Sequence, residues 1–182
     1  MLRVVGGTYK RRLLDQPSLE VTRPTKDIAK ESLFNSLGDI QNKSFLDCFG
    51  GSGAIGIEAY SRGAKKVTII EKNIEACKVI QKNLNSLKIN DIEVINKDFF
   101  VALNFLKKTY EIVFIDPPYK MEINKDFLLK LFDLHIVDND SIIILERDNV
   151  LNLEDFDNFN IKQLKYGKTY LYILRGIKWW KE

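Results

Sequence analysis

Apolar residues along the chain bunch into short runs separated by longer amphipathic stretches. After Lys43 the runs fall at Phe45–Phe49, Val67–Ile70, Ile92–Ile95, Ile112–Ile115 and Ile142–Leu145. Each is nearly continuous in apolar residues, which marks strands buried on both faces rather than on one. Between them, residues 54–62, 73–88, 99–108 and 124–134 have the length and apolar spacing of helices. Strands and helices in alternation predict a parallel sheet covered on both sides. The end of the chain departs from this pattern. Phe159–Tyr166 and Thr169–Arg175 are joined through Tyr166-Gly167-Lys168, which predicts an antiparallel hairpin closing the sheet. The expected architecture is α/β and Rossmann-like, a seven-stranded and mostly parallel sheet with an antiparallel C-terminal hairpin. Ligands in such sheets bind beyond the carboxyl ends of the strands.

Ahead of the sheet, residues 1–24 read as a short β segment. Val4-Val5-Gly6-Gly7 and Leu13-Leu14 flank the basic turn Lys10-Arg11-Arg12. A helix is expected from Lys26 to Leu37, with Thr25 as N-cap, Asp27 in the first turn and Gly38 as the stop. Ala29, Leu33, Phe34 and Leu37 supply its apolar face. Residues 1–40 are thus a hairpin-plus-helix extension of one domain spanning 1–182.

Composition narrows the setting. Of 182 residues, 45% are apolar and 29% charged, the mixture of a water-soluble globular chain. No apolar run reaches the ~18 residues a membrane span requires. The N-terminus lacks a signal-peptide core, so a cytoplasmic protein is expected. Two cysteines and one histidine make neither a disulfide framework nor a structural zinc site. Cys77, spaced with Ile80, Leu84 and Leu87, reads as a small buried hydrophobe, and His135 as a helix-end residue. Net charge is only +3, but it is unevenly spread. Residues 1–30 carry +4 and residues 161–182 carry +5, which leaves −6 in the middle. Basic ends around an acidic centre suit a polyanion held by both ends of the chain.

The chemistry gathers at the strand tips. Glycines 51, 53 and 56 follow the first long strand in G-x-G-x-x-G spacing, and Glu71 lies twenty residues past Gly51 at the next tip. Glycines permit a tight turn with N–H groups open to a ligand, while a carboxylate at that tip can accept two ribose hydroxyls. The pattern calls for a nucleoside without saying which. Asp47, just before the turn, would repel a pyrophosphate and attract a cationic sulfonium amino acid. The third strand ends in Asn96-Lys97-Asp98-Phe99-Phe100, which offers an acid for an adenine amino group beside a ring. Asp98 also suits a plain helix N-cap. Acids at three successive tips fit S-adenosylmethionine better than a dinucleotide. The donor-binding candidates are Asp47, Phe49, Gly50, Gly51, Ser52, Gly53, Glu71, Lys72, Asp98 and Phe99, with no metal required.

At the fourth tip stands Asp116-Pro117-Pro118-Tyr119. An exocyclic amino group on a base is a poor nucleophile because its lone pair is delocalised into the ring. The Asp116 carboxylate and the Pro117 carbonyl can hold its two hydrogens and aim the lone pair at a methyl carbon. The prolines fix φ and bring no competing N–H. Tyr119 can stack on a base drawn out of its surroundings.

This motif resembles the (N/D)-P-P-(Y/F) signature of amino-directed methyltransferases. Arg3-Val4-Val5-Gly6-Gly7, Arg23-Pro24-Thr25-Lys26-Asp27, Glu31-Ser32-Leu33-Phe34-Asn35, the segment from Leu46 to Gly53 and Glu58-Ala59 narrow the resemblance. Over nearly the whole chain it is similar to the RsmD-type bacterial ribosomal RNA methyltransferases. The resemblance implies a class I S-adenosylmethionine-dependent fold and methylation of guanine N2 in 16S rRNA. It implies as partner the small ribosomal subunit or a late assembly intermediate, approached by a monomer. It assigns catalysis to Asp116, Pro117, Pro118 and Tyr119, and brings Thr25 to the donor site. Lys10, Arg11, Arg12, Arg23, Lys26 and Lys30 are the candidates for RNA contact. The chain departs from the family at Ile28 and Lys30, where arginines are common, and at Tyr119, where many relatives have Phe. The tail Lys178-Trp179-Trp180-Lys181-Glu182 matches no motif and is expected to tuck against the fold. Three other readings are compatible with parts of the sequence: an adenine-N6 methyltransferase, an NAD-dependent oxidoreductase with His135 as proton carrier, and a non-catalytic RNA-binding protein.

Overall fold

A computed structural model describes residues 2–17, 27–118, 121 and 123–177. The expectations for Arg23, Thr25, Lys26, Tyr119 and the tryptophan-bearing tail lie outside the described residues. The elements in chain order are β1 (Leu2–Arg3), β2 (Leu13–Leu14), α1 (Asp27–Leu37), β3 (Ser44–Asp47), α2 (Ala54–Ser61), β4 (Lys66–Ile70), α3 (Ile74–Leu87), β5 (Glu93–Ile95), α4 (Phe99–Leu103), β6 (Ile112–Ile115), α5 (Lys125–Asp133), β7 (Ile142–Arg147), β8 (Phe159–Tyr166) and β9 (Thr169–Ile177). A 3-10 turn at Leu153–Phe156 precedes β8.

Seven strands form one sheet in the order β5-β4-β3-β6-β7-β9-β8. The first five are parallel, and β9 runs antiparallel to both β7 and β8. The chain steps outward from β3 through β4 to β5, then returns to lay β6 on the other side of β3. The reversal of strand order therefore falls between β3 and β6, where open α/β sheets keep their crevice.

Side chains alternate across the sheet because a strand has a period of two. Phe45, Ile69, Phe114 and Ile144 face one core with Leu33 and Phe34 of α1, Ile57 of α2 and Ile80 of α3. Leu46, Val113, Ile115 and Leu145 face the other with Phe99 and Leu103 of α4 and Leu128 and Leu131 of α5. Two buried faces explain why the strands read as continuous apolar runs.

Some boundaries differ from the sequence reading, each for a local reason. Helix α4 is five residues long rather than ten. Asn104 ends it, with its Nδ2 bonded to Phe100 O at 3.1 Å, and the chain then swings Leu106 and Tyr110 into the core. Strand β7 continues to Arg147 because Glu146 and Arg147 keep ladder partners in Leu171 and Tyr170. Ladder bonds need no apolar side chain. Cys77 is only half-buried and donates Sγ–H to Glu71 O at 3.3 Å, so it is not the core residue its spacing suggested. His135 does sit just past a helix, with φ 55° and its N–H on Phe132 O.

The N-terminal hairpin β1–β2 docks on the C-terminal end of α2. Val5 N donates to Glu58 Oε2 at 2.7 Å, Thr8 N to Ser61 O at 2.8 Å, and Ser61 Oγ to Gly6 O at 2.6 Å. Gly7 has φ +71°, and a Cβ there would lie 1.8 Å from Ser61 O, so only glycine fits this approach. Glu58 is fully buried and pairs with Arg62 at 2.7 Å, whose guanidinium lies 5.0 Å over the Phe34 ring. Helix α1 lies on the same face. Ser32 bonds the Tyr166 hydroxyl near the carboxyl rim, while Ser36 receives Lys162 and Arg175 further down. The first turn of α1 therefore points at the crevice.

Candidate active site at the carboxyl rim

The rim is built outward from β3. Cys48 N donates to Phe114 O at 2.9 Å, which carries the β3–β6 ladder one residue past the strand. Gly50 N then bonds Ile70 O at 2.8 Å, and Gly53 N closes the turn on Gly50 O at 2.7 Å. The glycines serve different needs. A Cβ at Gly50 or Gly56 would come within 2.3 or 2.6 Å of Ile69, so these two permit tight packing. Gly51 has φ +55° and nothing within 4 Å of where a Cβ would point. Its open side is where a ligand group can reach the loop backbone.

Asp47 is 1% exposed. Its Oδ2 accepts the N–H of Gly56 at 3.2 Å, one of the donors that the start of α2 leaves without an intrahelical partner. Its Oδ1 is buried with no hydrogen-bond partner among the described residues. Burial drives its pKa up to about 7; the Gly56 and Phe49 amides offset part of this, and the charges of Asp116 and Glu71 add to it. A buried acceptor without a donor is costly, and a cation brought to Oδ1 would supply what is missing. The residues present therefore fit the ammonium-bearing, sulfonium-bearing donor expected from the sequence.

Glu71 is tied down on both oxygens, by Gly51 N at 2.8 Å and Asn73 N at 2.7 Å. Each oxygen keeps a further lone pair, so the carboxylate can staple the glycine loop to the tip of β4 and still accept ribose hydroxyls. Ser52 O is held by Nδ2 of Asn83 at 3.1 Å. Asn83 is buried on α3 and also exchanges two bonds with the Asp15 backbone, at 2.8 and 3.0 Å. It thus joins the exit of the N-terminal hairpin to the donor loop. The sequence reading missed it. The available signal was an amide standing among Ile80, Leu84 and Leu87 on the buried stripe of α3.

At the β5 tip, Asp98 caps α4 through Phe100 N at 3.0 Å. Phe99 is 3% exposed and centres an aromatic cluster with Phe49 at 5.0 Å and Phe127 at 5.6 Å. It is a core residue; the rings open to a ligand at this edge are half-buried Phe49 and exposed Phe100. Lys72 is exposed, and its carbonyl receives Asn96 Nδ2 together with that of Glu71.

Asp116, Pro117 and Pro118 leave β6 on the other side of the crevice, with Asp116 half-buried. Burial, and then the charge of Asp148 just beyond β7, raise the Asp116 carboxyl to about 7. No described residue donates a hydrogen bond to it. Asp148 was not picked out from the sequence, where it is one more acid in a polar loop.

The RNA candidates separate. Lys10, Arg11 and Arg12 are exposed on the hairpin turn, with Arg12 Nη2 reaching Ser86 O at 3.3 Å. Lys30 is a correction. It is 0% exposed, its Nζ donates to Arg3 O at 2.5 Å, and it lies 3.8 Å from Asp27. Burial lowers its pKa against the pull of Glu58 and Asp27. Its role is to fasten α1 to β1, and it cannot meet RNA.

Comparison with known proteins places this geometry. A family model described as Conserved hypothetical protein 95 matches residues 2–175. Ribosomal RNA small subunit methyltransferase D of Buchnera aphidicola subsp. Baizongia pistaciae is 33% identical over 177 residues, covering 95% of this chain and 90% of that protein. Its namesake in Escherichia coli K12 is 35% identical over 151 residues, covering 81% and 75%. The solved structure of yhhF from Escherichia coli superposes with a TM-score of 0.79 at 31% identity, covering 97% of this chain and 99% of that one.

Proposed function

The chain belongs to the Conserved hypothetical protein 95 family, that of the RsmD-type ribosomal RNA methyltransferases, and from this premise we propose that it methylates the exocyclic N2 of one guanine in 16S rRNA. The reaction class is S-adenosyl-L-methionine-dependent methylation of ribosomal RNA. Bound donor supplies an electrophilic methyl carbon on a sulfonium sulfur. One observation carries the reading. Asp47 and Asp116 stand at the carboxyl tips of the neighbouring parallel strands β3 and β6, whose register sets Asp47 beside Phe114.

Asp47 Oδ1 holds the donor's cationic end, Gly51 gives its backbone access, and Glu71 accepts ribose hydroxyls. Across the crevice, the Asp116 carboxylate and the Pro117 carbonyl accept the two N2 hydrogens of the flipped guanine. That turns the nitrogen lone pair toward the donor side. Neither proline carries an N–H that would compete. The family resemblance assigns Tyr119 to stacking on the base. As N2 gains its fourth bond it becomes acidic, and Asp116, whose pKa lies near 7, takes the proton and passes it to solvent. Because Asp116 works as the anion, kcat/KM is expected to rise with pH through about 7.

The substrate is the small subunit or a late assembly intermediate, approached by a monomer in the cytoplasm. No described helix is long and apolar enough to cross a membrane. A dinucleotide would set pyrophosphate against buried Asp47, which disfavours the oxidoreductase reading. The test is methyl transfer to small subunits purified from a strain lacking this gene, with the product identified by mass spectrometry. N2-methylguanine in 16S rRNA is expected, whereas N6-methyladenine would replace the guanine reading.

A further inference from the structure

Three side chains line up across the hairpin end of the sheet at this same rim. The register pairs Arg147 of β7 with Tyr170 of β9, and Tyr170 with Lys165 of β8. Directly paired residues project to the same face, so cation, ring and cation stand side by side on three neighbouring strands. Strand β7 is itself the neighbour of β6, so the row leads away from the catalytic tip. Lys165 Nζ lies 5.0 Å over the Tyr170 ring, and Tyr170 stacks on Tyr172 at 6.3 Å with 14° between planes. Lys168 is exposed in the turn that joins β8 to β9.

Arg147 gives the row its direction. Its Nε bonds Asn149 Oδ1 at 3.2 Å, but its Nη1 is buried with no hydrogen-bond partner among the described residues. A guanidinium donor held out of water without an acceptor is costly, and an anionic oxygen is the partner that best relieves it. Two cations flanking an aromatic ring, with a third at the adjoining turn, match a polymer that alternates phosphates with flat bases.

We propose that Arg147, Tyr170 and Lys165, extended by Lys168, form a track for single-stranded RNA beside the target guanine. Arg147 and Lys165 take phosphates, and Tyr170 takes the face of a flanking base. The proposal rests on the ribosomal RNA methyltransferase reading and adds to it the path of the strand outside the catalytic crevice.

The test measures binding of a fluorescent single-stranded RNA by anisotropy, with the protein saturated with S-adenosylhomocysteine, between about 50 and 200 mM salt. The variants are Arg147→Gln with Lys165→Gln, Tyr170→Leu, and Lys66→Gln at the amino end of β4, on the far side of the sheet from the row. The double variant should bind roughly tenfold or more weakly, with a log–log salt slope shallower by about 1.4, the share of two phosphate contacts on a single strand. Tyr170→Leu should bind at least about fivefold more weakly with an unchanged slope. Lys66→Gln should match the wild type, and S-adenosylhomocysteine affinity and Tm should hold throughout. If the double variant loses fold or donor affinity, Lys165→Gln with Lys168→Gln, both exposed, carries the same test. An unchanged affinity and slope in a folded double variant overturns the track, as does an equal loss in Lys66→Gln. Weakened binding to assembled subunits with free RNA unaffected assigns the row to a ribosomal protein and also overturns it. Wild-type protein that methylates no ribosomal RNA defeats the functional reading itself, whereas active wild type with equally active double variant defeats only the track.

Discussion

The two sides of the crevice are built in opposite ways. On the donor side every carboxylate is anchored to backbone: Asp47 to Gly56, Glu71 to Gly51 and Asn73, with Asn83 holding Ser52 from behind. On the acceptor side Asp116 receives no hydrogen bond from any described residue and has the charge of Asp148 for a neighbour. A site that meets the same small molecule at every turnover can be fixed in advance. A site that must accept and release a base from a large RNA keeps its hydrogen-bonding capacity unspent. Donor-side substitutions should therefore alter affinity and fold together, and acceptor-side ones should alter rate alone.

The sharpest way to break this contrast is Asp116→Ala. Turnover should fall by a factor on the order of 10²–10³ or more, the scale of losing a group that acts on the reacting centre. Calorimetry should find S-adenosylhomocysteine affinity within about twofold of wild type; a large loss of affinity would mean the two sides are one unit. Next in size is Glu71→Ala, which removes two charged hydrogen bonds from the loop as well as the ribose acceptor. The donor Kd should rise roughly ten- to a hundredfold, with kcat on saturating donor much less affected.

Asp47→Asn sharpens the comparison through pH. A carboxyl whose pKa is raised on folding keeps its proton in the native state, so its cost to stability is absent below about pH 4. That cost grows as pH climbs toward about 7 and is complete above it. A rise from the usual carboxylate range to about 7 corresponds to roughly a few kcal/mol. Donor-free Asp47→Asn should therefore melt several degrees above wild type at pH 8, close to it at pH 4, and bind donor more weakly at both. Equal melting at pH 8 would show that Asp47 is not the strained group. The smallest effect is expected far from the crevice. Neutralising Lys10, Arg11 and Arg12 should weaken RNA binding several-fold and flatten its salt dependence by about two units of slope, with donor affinity unchanged in calorimetry.

The same contrast explains what could be read from the sequence. Strand-and-helix alternation fixes which strand ends share a rim, so Asp47, Glu71 and Asp116 could be placed together without coordinates. Local pattern does not reveal what a long polar side chain reaches. Lys30 looked like a surface cation on a basic segment, yet its stem crosses to Arg3 O and its ammonium is buried. Asp98-Phe99 looked like one acid with one ring for adenine, but helix geometry turns Phe99 inward and leaves Phe100 out. Asn83 joins segments 68 residues apart in sequence, a pairing no spacing rule contains.

Helix α2 holds the donor turn at its first residue and the basic hairpin at its last. At eight residues it measures about 12 Å. It therefore acts as a gauge rod between the basic hairpin proposed to meet RNA and the turn proposed to hold the donor. Adding a single residue to it would advance one end by about 1.5 Å and rotate it by roughly 100° relative to the other, so insertions here should be tolerated far less well than in the loops on either side.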